Sequence, residues 1–211
     1  VSALFEKSLE SNTSLFIELL KLAGCSNYQD ALIYFNEYVD LVRGSYLDLY
    51  LIYGIALEGH QQNTLAIFQN GRIKRFIARD FDGIEIYADS LNSHAFTLTD
   101  LLSPPFVTHN KITVRNQLLH TVYQLHLGEL VLLLAGHFKC EEKNFWTIIR
   151  NKTVERFTDL KAKVDSIRWE EEYHAILKAD WPVKALFRMR LEKQYVREGI
   201  FSYISNPLVI K

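Results

Sequence analysis

Two short polar stretches carry the residues able to do chemistry. Glu58, His60, Gln61, Gln62 and Asn63 fall within six consecutive positions, and Arg79, Asp80 and Asp82 follow after a gap. Carboxylates Glu58 and Asp80 offer hard oxygen ligands of the kind Mg²⁺ takes. His60 and Arg79 can pair with phosphate or carboxylate, and the amides of Gln62 and Asn63 can donate or accept. A polyanion accompanied by a divalent cation would suit such a set. So would a hydrogen-bonded structural network at a helix-to-hairpin junction, because so many polar groups need partners wherever they are buried. The residue types alone leave both readings open.

The flanking elements predict how the two stretches meet. Arg43-Gly44 breaks the preceding helical pattern, and Tyr46 to Leu57, apolar and aromatic, predicts a buried helix that delivers Glu58, with Gly54 inside it marking a close approach. Asn70-Gly71 between two apolar runs is a strong hairpin signal, since both central residues of a type I′ turn need positive φ. A two-residue turn pairs Gln69 with Arg72 and sets Asn63 near Ala78, which returns Arg79 and Asp80 to Gln62 and Asn63. Ile84 to Tyr87 predicts a third strand, with Asp82-Gly83 as its turn.

Gly54-Ile-Ala-Leu-Glu58-Gly-His60-Gln-Gln62-Asn63, followed by Arg79-Asp80-Phe-Asp-Gly83, resembles the signature of the IucA/IucC family. These are siderophore synthetases that work without a nonribosomal peptide synthetase. Their pattern runs Gly-hydrophobic-x-Leu-Glu-x-His-x-Gln-Asn, a hairpin, then Arg-Asp-x-x-Gly. The resemblance implies an ATP-dependent ligase that adenylates citrate or a citrate derivative, releases pyrophosphate, and passes the acyl group to an amine, hydroxylamine or alcohol. It implies that Glu58, Gln62, Asn63 and Asp80 surround the nucleotide, with Glu58 and Asp80 on Mg²⁺. His60 would be the catalytic residue between α-phosphate and citrate carboxylate, with Arg79 also toward that carboxylate. Lys184-Ala-x-x-x-Met189-Arg190 is similar to a family segment that contacts citrate, which adds Lys184 first and Arg190 second.

Members of the family are much longer than 211 residues. The resemblance therefore implies one C-terminal domain spanning 1–211, with the remaining phosphate contacts on an upstream domain and an isolated chain that is inactive. Within it, 1–45 reads as a helical lead-in, 46–90 as helix plus hairpin carrying the site, and 110–211 as a helical subdomain. The start at Val1 rather than Met fits a piece of a longer protein.

Composition bounds the alternatives. Hydrophobic residues make up 48 % and the net charge is −1, which disfavours disorder and a nucleic-acid partner. The longest apolar run, Leu130 to Ala135, is too short to span a bilayer, and no signal peptide is visible. Cys25 and Cys140 form no metal-binding spacing and read as reduced cytoplasmic thiols. Two cysteines are also too few for the four-cysteine iron–sulfur cluster of ferric-siderophore reductases, with which this region of the family is sometimes grouped. The alternative to a ligase is a nucleotide- or carboxylate-binding or interaction module of the same fold.

The predicted fold class is α+β, a predominantly helical domain with a small antiparallel sheet built on the 64–87 hairpin. Thr13 or Ser14 caps an early helix, and Asp30 to Val42 turns Leu32, Phe35, Val39 and Val42 inward, leaving Tyr34 and Tyr38 for packing or for a homodimer face. Residues 89–110 read as an irregular connection with His94 and His109 on the surface. Lys111 to Phe138 reads as the central helix, whose His120, His126 and His137 lack metal spacing and whose His126 and Glu129 form a surface or groove pair. Glu170 to Glu172 reads as a solvated charge run. Asp180 and Pro182 predict a helix start that puts Lys184 and Arg188 on one face.

Overall fold

A computed structural model describes residues 1–93, 106–193 and 200–209. The chain is α+β and mainly helical, as the apolar periodicities predict. Helix α1 (Leu15–Leu22) is capped by Ser14, whose side chain accepts from Ile17 N. Helix α2 (Tyr28–Val42) is capped by Asn27 and buries Phe35, Val39 and Val42. Tyr34 and Tyr38 are 1 % and 0 % exposed, so they pack inside the fold and offer no face to a second copy.

The chain does not break at Arg43-Gly44. A π-helical segment (Arg43–Leu47) joins α2 directly to α3 (Asp48–Tyr53). The wider turn rotates the inward face, so that Val42, Tyr46, Leu47, Tyr50 and Leu51 are all buried. Gly54 then ends α3 in the left-handed conformation at φ +72, and a Cβ there would lie 2.7 Å from Ser90 Cβ. Close approach is thus correctly expected at Gly54, but as a helix stop. Glu58 arrives on a loop after strand β1 (Ile55–Ala56), not on a helix.

Strands β2 (Thr64–Gln69) and β3 (Arg72–Ala78) form the predicted hairpin. Asn70 and Gly71 both have positive φ, 51 and 78, and Gln69 pairs with Arg72. An irregularity after Ile67 shifts the register, so Thr64 rather than Asn63 faces Ala78. The carbonyl of Asn63 accepts from Arg79 N at 2.9 Å instead. Tyr34 ties the tip down by donating to Gly71 O at 2.6 Å.

Strand β4 (Glu85–Tyr87) does not extend this hairpin. It pairs antiparallel with β1 and parallel with β5 (Val107–Thr108). Helix α4 (Ala88–Ser93) follows β4 where an irregular connection is expected. Most of that connection, including His94, lies outside the described residues. His109 is exposed and pairs with Asp89 at 2.8 Å.

Lys111 to Phe138 is one continuous helix: α5 (Lys111–Leu118), a π-helical stretch (Leu119–Gly128) and α6 (Glu129–Phe138). Among the described residues it alone has the length and hydropathy of a membrane span, 28 residues, yet 67 % of the apolar window is buried inside the fold. Val114, Leu118, Val122, Leu130 and Leu134 place it at the core's centre. Helix α7 (Lys143–Leu160) packs on α2, with Phe35 and Phe145 edge to face at 5.3 Å.

Helix α8 (Ser166–Leu177) carries the expected charge run, but Glu172 is fully buried. It shares a face with Trp169 and Ile176 and receives Arg115 through both oxygens at 2.7 Å. Residues Trp181–Lys184 are strand β6, paired antiparallel with β7 (Phe201–Ile204), and helix α9 starts only at Leu186 (Leu186–Leu191). The Asp180 cap and Pro182 start are therefore overridden by a partner strand distant in sequence. Lys184 and Arg188 do not share a helix face.

Candidate functional site

Gly59 is the pivot of the site loop. Its N–H donates to Thr121 Oγ1 at 3.2 Å, and its carbonyl accepts from Thr64 Oγ1 at 3.2 Å and His126 Nδ1 at 3.1 Å. A Cβ at Gly59 would lie 2.6 Å from the Tyr46 ring and 2.7 Å from Val122, so only glycine fits. Gln61 Nε2 donates to Leu125 O at 2.8 Å, adding another tie to the central helix. The loop bearing Glu58, His60, Gln62 and Asn63 is thus held by buried groups of the core.

The side chains on this loop face one another. Asn63, 5 % exposed, donates from Nδ2 to Glu58 Oε2 at 3.1 Å. His60 Nδ1 accepts from the backbone N–H groups of Gln62 and Asn63 at 3.2 and 3.4 Å. Two donors on Nδ1 leave the proton of the neutral ring on Nε2, which lies 3.7 Å from Glu58 Oε1. Gln62 is exposed, and its carbonyl accepts from Arg79 Nε at 3.1 Å.

Asp80 sits at φ +60, with Oδ1 accepting from Asp82 N at 3.3 Å. The Asx turn it forms leads into Gly83, whose backbone abuts the Glu58 carboxylate. Gln117 Nε2 fixes that approach by donating to Gly83 O at 2.7 Å. Glu58, His60, Asn63, Arg79 and the Asp80 turn therefore converge as the hairpin reading predicts.

Lys184 lies on strand β6 and not on the expected helix. Gln124 Nε2 donates to Pro182 O at 2.7 Å, which seats β6 against the central helix. His120 on that helix lies within electrostatic reach of Lys184, His60 and Glu58. Burial lowers the pKa of His120 and the Lys184 cation acts in the same sense, while the bond to Gln124 and the Glu58 carboxylate oppose them. Arg190 is exposed on α9, and nothing among the described residues ties it to this cluster.

His126 departs furthest from its expected role. It is fully buried and bonded to Tyr38 and Gly59, not paired with Glu129. Burial pulls its pKa from 6.5 down to about 4. Between those values the unfolded chain takes a proton that the folded chain refuses, so stability falls as pH falls through this window. The expected loss is about 3 kcal/mol by pH 4. Denaturation of the parent and of His126→Asn from pH 7 to 4 checks this, and parallel curves for the two would refute it.

The residues missed by sequence reasoning lie on the central helix. Gln117, His120, Thr121 and Gln124 follow a helical spacing of three, one and three, which makes one polar stripe on an apolar helix. That stripe was the available signal. Among the described residues no three His, Cys, Asp or Glu side chains gather to hold a metal. Mg²⁺ in nucleotide sites takes one or two carboxylates and draws its other ligands from water and phosphate. Glu58 and Asp80 fit that limited share.

A family model described as ferric iron reductase FhuF-like transporter matches residues 32–198. An uncharacterised protein, y4xN, of Sinorhizobium fredii is 28 % identical over 99 % of this chain and 34 % of its own length. An NRPS-independent siderophore synthetase-like protein, ankE, of Aspergillus thermomutatus is 32 % identical over 76 % of this chain and 25 % of its own. The D-ornithine–citrate ligase of Staphylococcus aureus is 27 % identical over 94 % and 32 %. The chain thus spans about a quarter to a third of these relatives. Petrobactin biosynthesis protein AsbB of Bacillus anthracis shares the fold at TM-score 0.77 and 19 % identity, over 98 % of this chain and 34 % of that one. ATP-bound aerobactin synthetase IucA of Klebsiella pneumoniae does so at 0.69 and 21 %, over 98 % and 36 %.

Proposed function

The chain belongs to the FhuF-like family, with NRPS-independent siderophore synthetases of the IucA/IucC type as its relatives, and from that premise we propose that it is the C-terminal part of an ATP-dependent ligase. The ligase joins a citrate-type carboxylate to an amine, hydroxylamine or alcohol through an acyl adenylate. The observation that carries this reading is the Glu58–Asn63–His60 arrangement beside Arg79 and the Asp80 turn. The named citrate ligase among the relatives and the ATP-bound solved neighbour support it.

Each residue has a task in that reaction. His60 presents Nε2–H as a fixed donor where charge builds between the α-phosphate and the attacking carboxylate. Asn63 orients the Glu58 carboxylate, and Glu58 and Asp80 would hold Mg²⁺, which when bound offsets phosphate charge. Gln62 contributes an amide toward the nucleotide. Arg79 and Lys184 supply positive charge for the substrate carboxylates, with Arg190 a third cation of lower rank. The upstream domain, proposed as a partner, completes the phosphate contacts, and the domain acts in the cytoplasm.

The reductase in the family description has a different requirement. A four-cysteine cluster needs four thiolates, whereas this chain has Cys25 and Cys140 only, and Cys25 falls outside the matched residues. Its residues do not fit that cluster.

The test is pyrophosphate release from Mg-ATP, dependent on citrate and an amine, by the longest natural form of the protein beside this chain. Release by the long form alone supports the proposal. Silence in both, across several carboxylates and nucleophiles, moves the domain to a binding module.

Gly83→Ala gives a local check. Its Cβ would lie 2.3 Å from Glu58 Oε2, so the carboxylate must swing away from Asn63. Activity is expected to fall about ten- to a hundred-fold, as for other lost supports of a metal ligand. The melting temperature should change little, because a flexible carboxylate end yields. Unchanged activity would separate Glu58 from the site.

A further inference from the structure

The buried polar network under Gly59 has a direction that its chemistry fixes. A backbone carbonyl only accepts, so the His126 Nδ1 that lies 3.1 Å from Gly59 O carries the ring proton. Burial keeps this imidazole neutral, so Nε2 is left as an acceptor for the Tyr38 hydroxyl at 2.7 Å. Tyr38 is 0 % exposed, and burial keeps its hydroxyl protonated and able to donate. On the other side of Gly59, Thr121 Oγ1 gives its proton to Gln117 O at 2.8 Å, in preference to Leu57 O at 3.5 Å, and accepts from Gly59 N at 3.2 Å. Every member thus has one compatible role, and both polar groups of Gly59 are occupied.

Gly59 stands between Glu58 and His60, so its peptide planes set the directions of both side chains. The tautomer of His126, Nδ1–H, is the reverse of that of His60, Nε2–H, and each is imposed by backbone groups. We propose that His126 and Thr121 are positioning residues for the ligase site: they hold Gly59 so that His60 Nε2–H and the Glu58 carboxylate point together before substrate arrives. The assignment rests on the ligase reading. Their loss slows the chemical step rather than weakening substrate binding, because neither side chain reaches the loop's outer surface.

The test uses His126→Asn and Thr121→Val in the longest natural form, with Leu134→Ala as a core control on the same helix away from the loop. Both positioning variants should lose on the order of a hundred-fold in kcat for pyrophosphate release, with KM for ATP and for citrate nearly unchanged. The control should keep its kcat below its melting temperature. Losses no larger than the control's, or losses confined to KM, would overturn the proposal. Two further readouts need no turnover and so stand if the ligase reading fails. Two-bond ¹H–¹⁵N NMR should find His126 neutral and protonated on Nδ1 at pH 7, and amide exchange from Gly59 to Asn63 should rise selectively in both variants. A proton on Nε2, or unchanged exchange, would overturn it equally.

Discussion

Glu172→Leu is expected to lower the unfolding free energy by about 3–5 kcal/mol, the usual cost of removing one partner of a buried ion pair. Glu172 is 0 % exposed, with one oxygen accepting from Arg115 Nη2 and the other from Arg115 Nε and the Tyr50 hydroxyl. Leucine fills the space and strands both donors: a guanidinium whose side chain is only 15 % exposed and the hydroxyl of a tyrosine that is 1 % exposed. Urea denaturation with an unchanged slope measures the loss. The double variant Arg115→Met, Glu172→Leu should recover most of it, since a well-packed apolar pair avoids the desolvation of two charges. A single-variant loss below about 1 kcal/mol would mean that the pair is hydrated in solution. The pair has a bearing on the site as well, because Arg115 anchors the first turns of the helix that carries Gln117 and Thr121.

Glu172 also shows what the sequence concealed. Three consecutive glutamates predict a solvated face, yet helical phase puts Glu172 on the side of Trp169 and Ile176. Phase was legible; the identity of its partner, 57 residues away on another helix, was not. The same limit explains β6. Asp180 and Pro182 satisfy local rules for a helix start, but pairing with Phe201–Ile204 is a long-range contact that no local rule registers. The Arg43–Gly44 break fails for a related reason, since a π turn keeps the helix continuous while rotating Tyr46 and Leu47 into the core. By contrast, the hairpin was legible nearly to the residue, because Asn70-Gly71 prescribes its own φ values. Glu58, His60, Asn63 and the Asp80 turn were legible with it, because the hairpin alone brings their two segments together. The support beneath them was not, because His126 and Thr121 act through backbone groups of Gly59, and glycine carries no side-chain pattern to read.

His60 carries the largest functional expectation, and its hydrogen bonds determine which substitutions discriminate. Nδ1 holds the turn by accepting from Gln62 N and Asn63 N, while Nε2 faces Glu58 and the space above it. Asparagine can place an oxygen where Nδ1 stands, keeping the turn and removing the outward donor. Glutamine reaches further and can place an N–H near the position of Nε2 while leaving the turn uncapped. His60→Asn should therefore fold within about 1 kcal/mol of the parent, as one neutral hydrogen bond is exchanged for another. Its kcat should nevertheless fall on the order of 10²–10³, the usual cost of one preorganised donor to a developing anion. His60→Gln should retain more activity than His60→Asn despite a less stable turn. The opposite ranking, with asparagine active and glutamine inactive, would show that His60 matters only as the cap of its own loop. In that case the burden of transition-state charge would pass to Arg79, which bonds Gln62 O in this loop, and to Lys184, within electrostatic reach of His120.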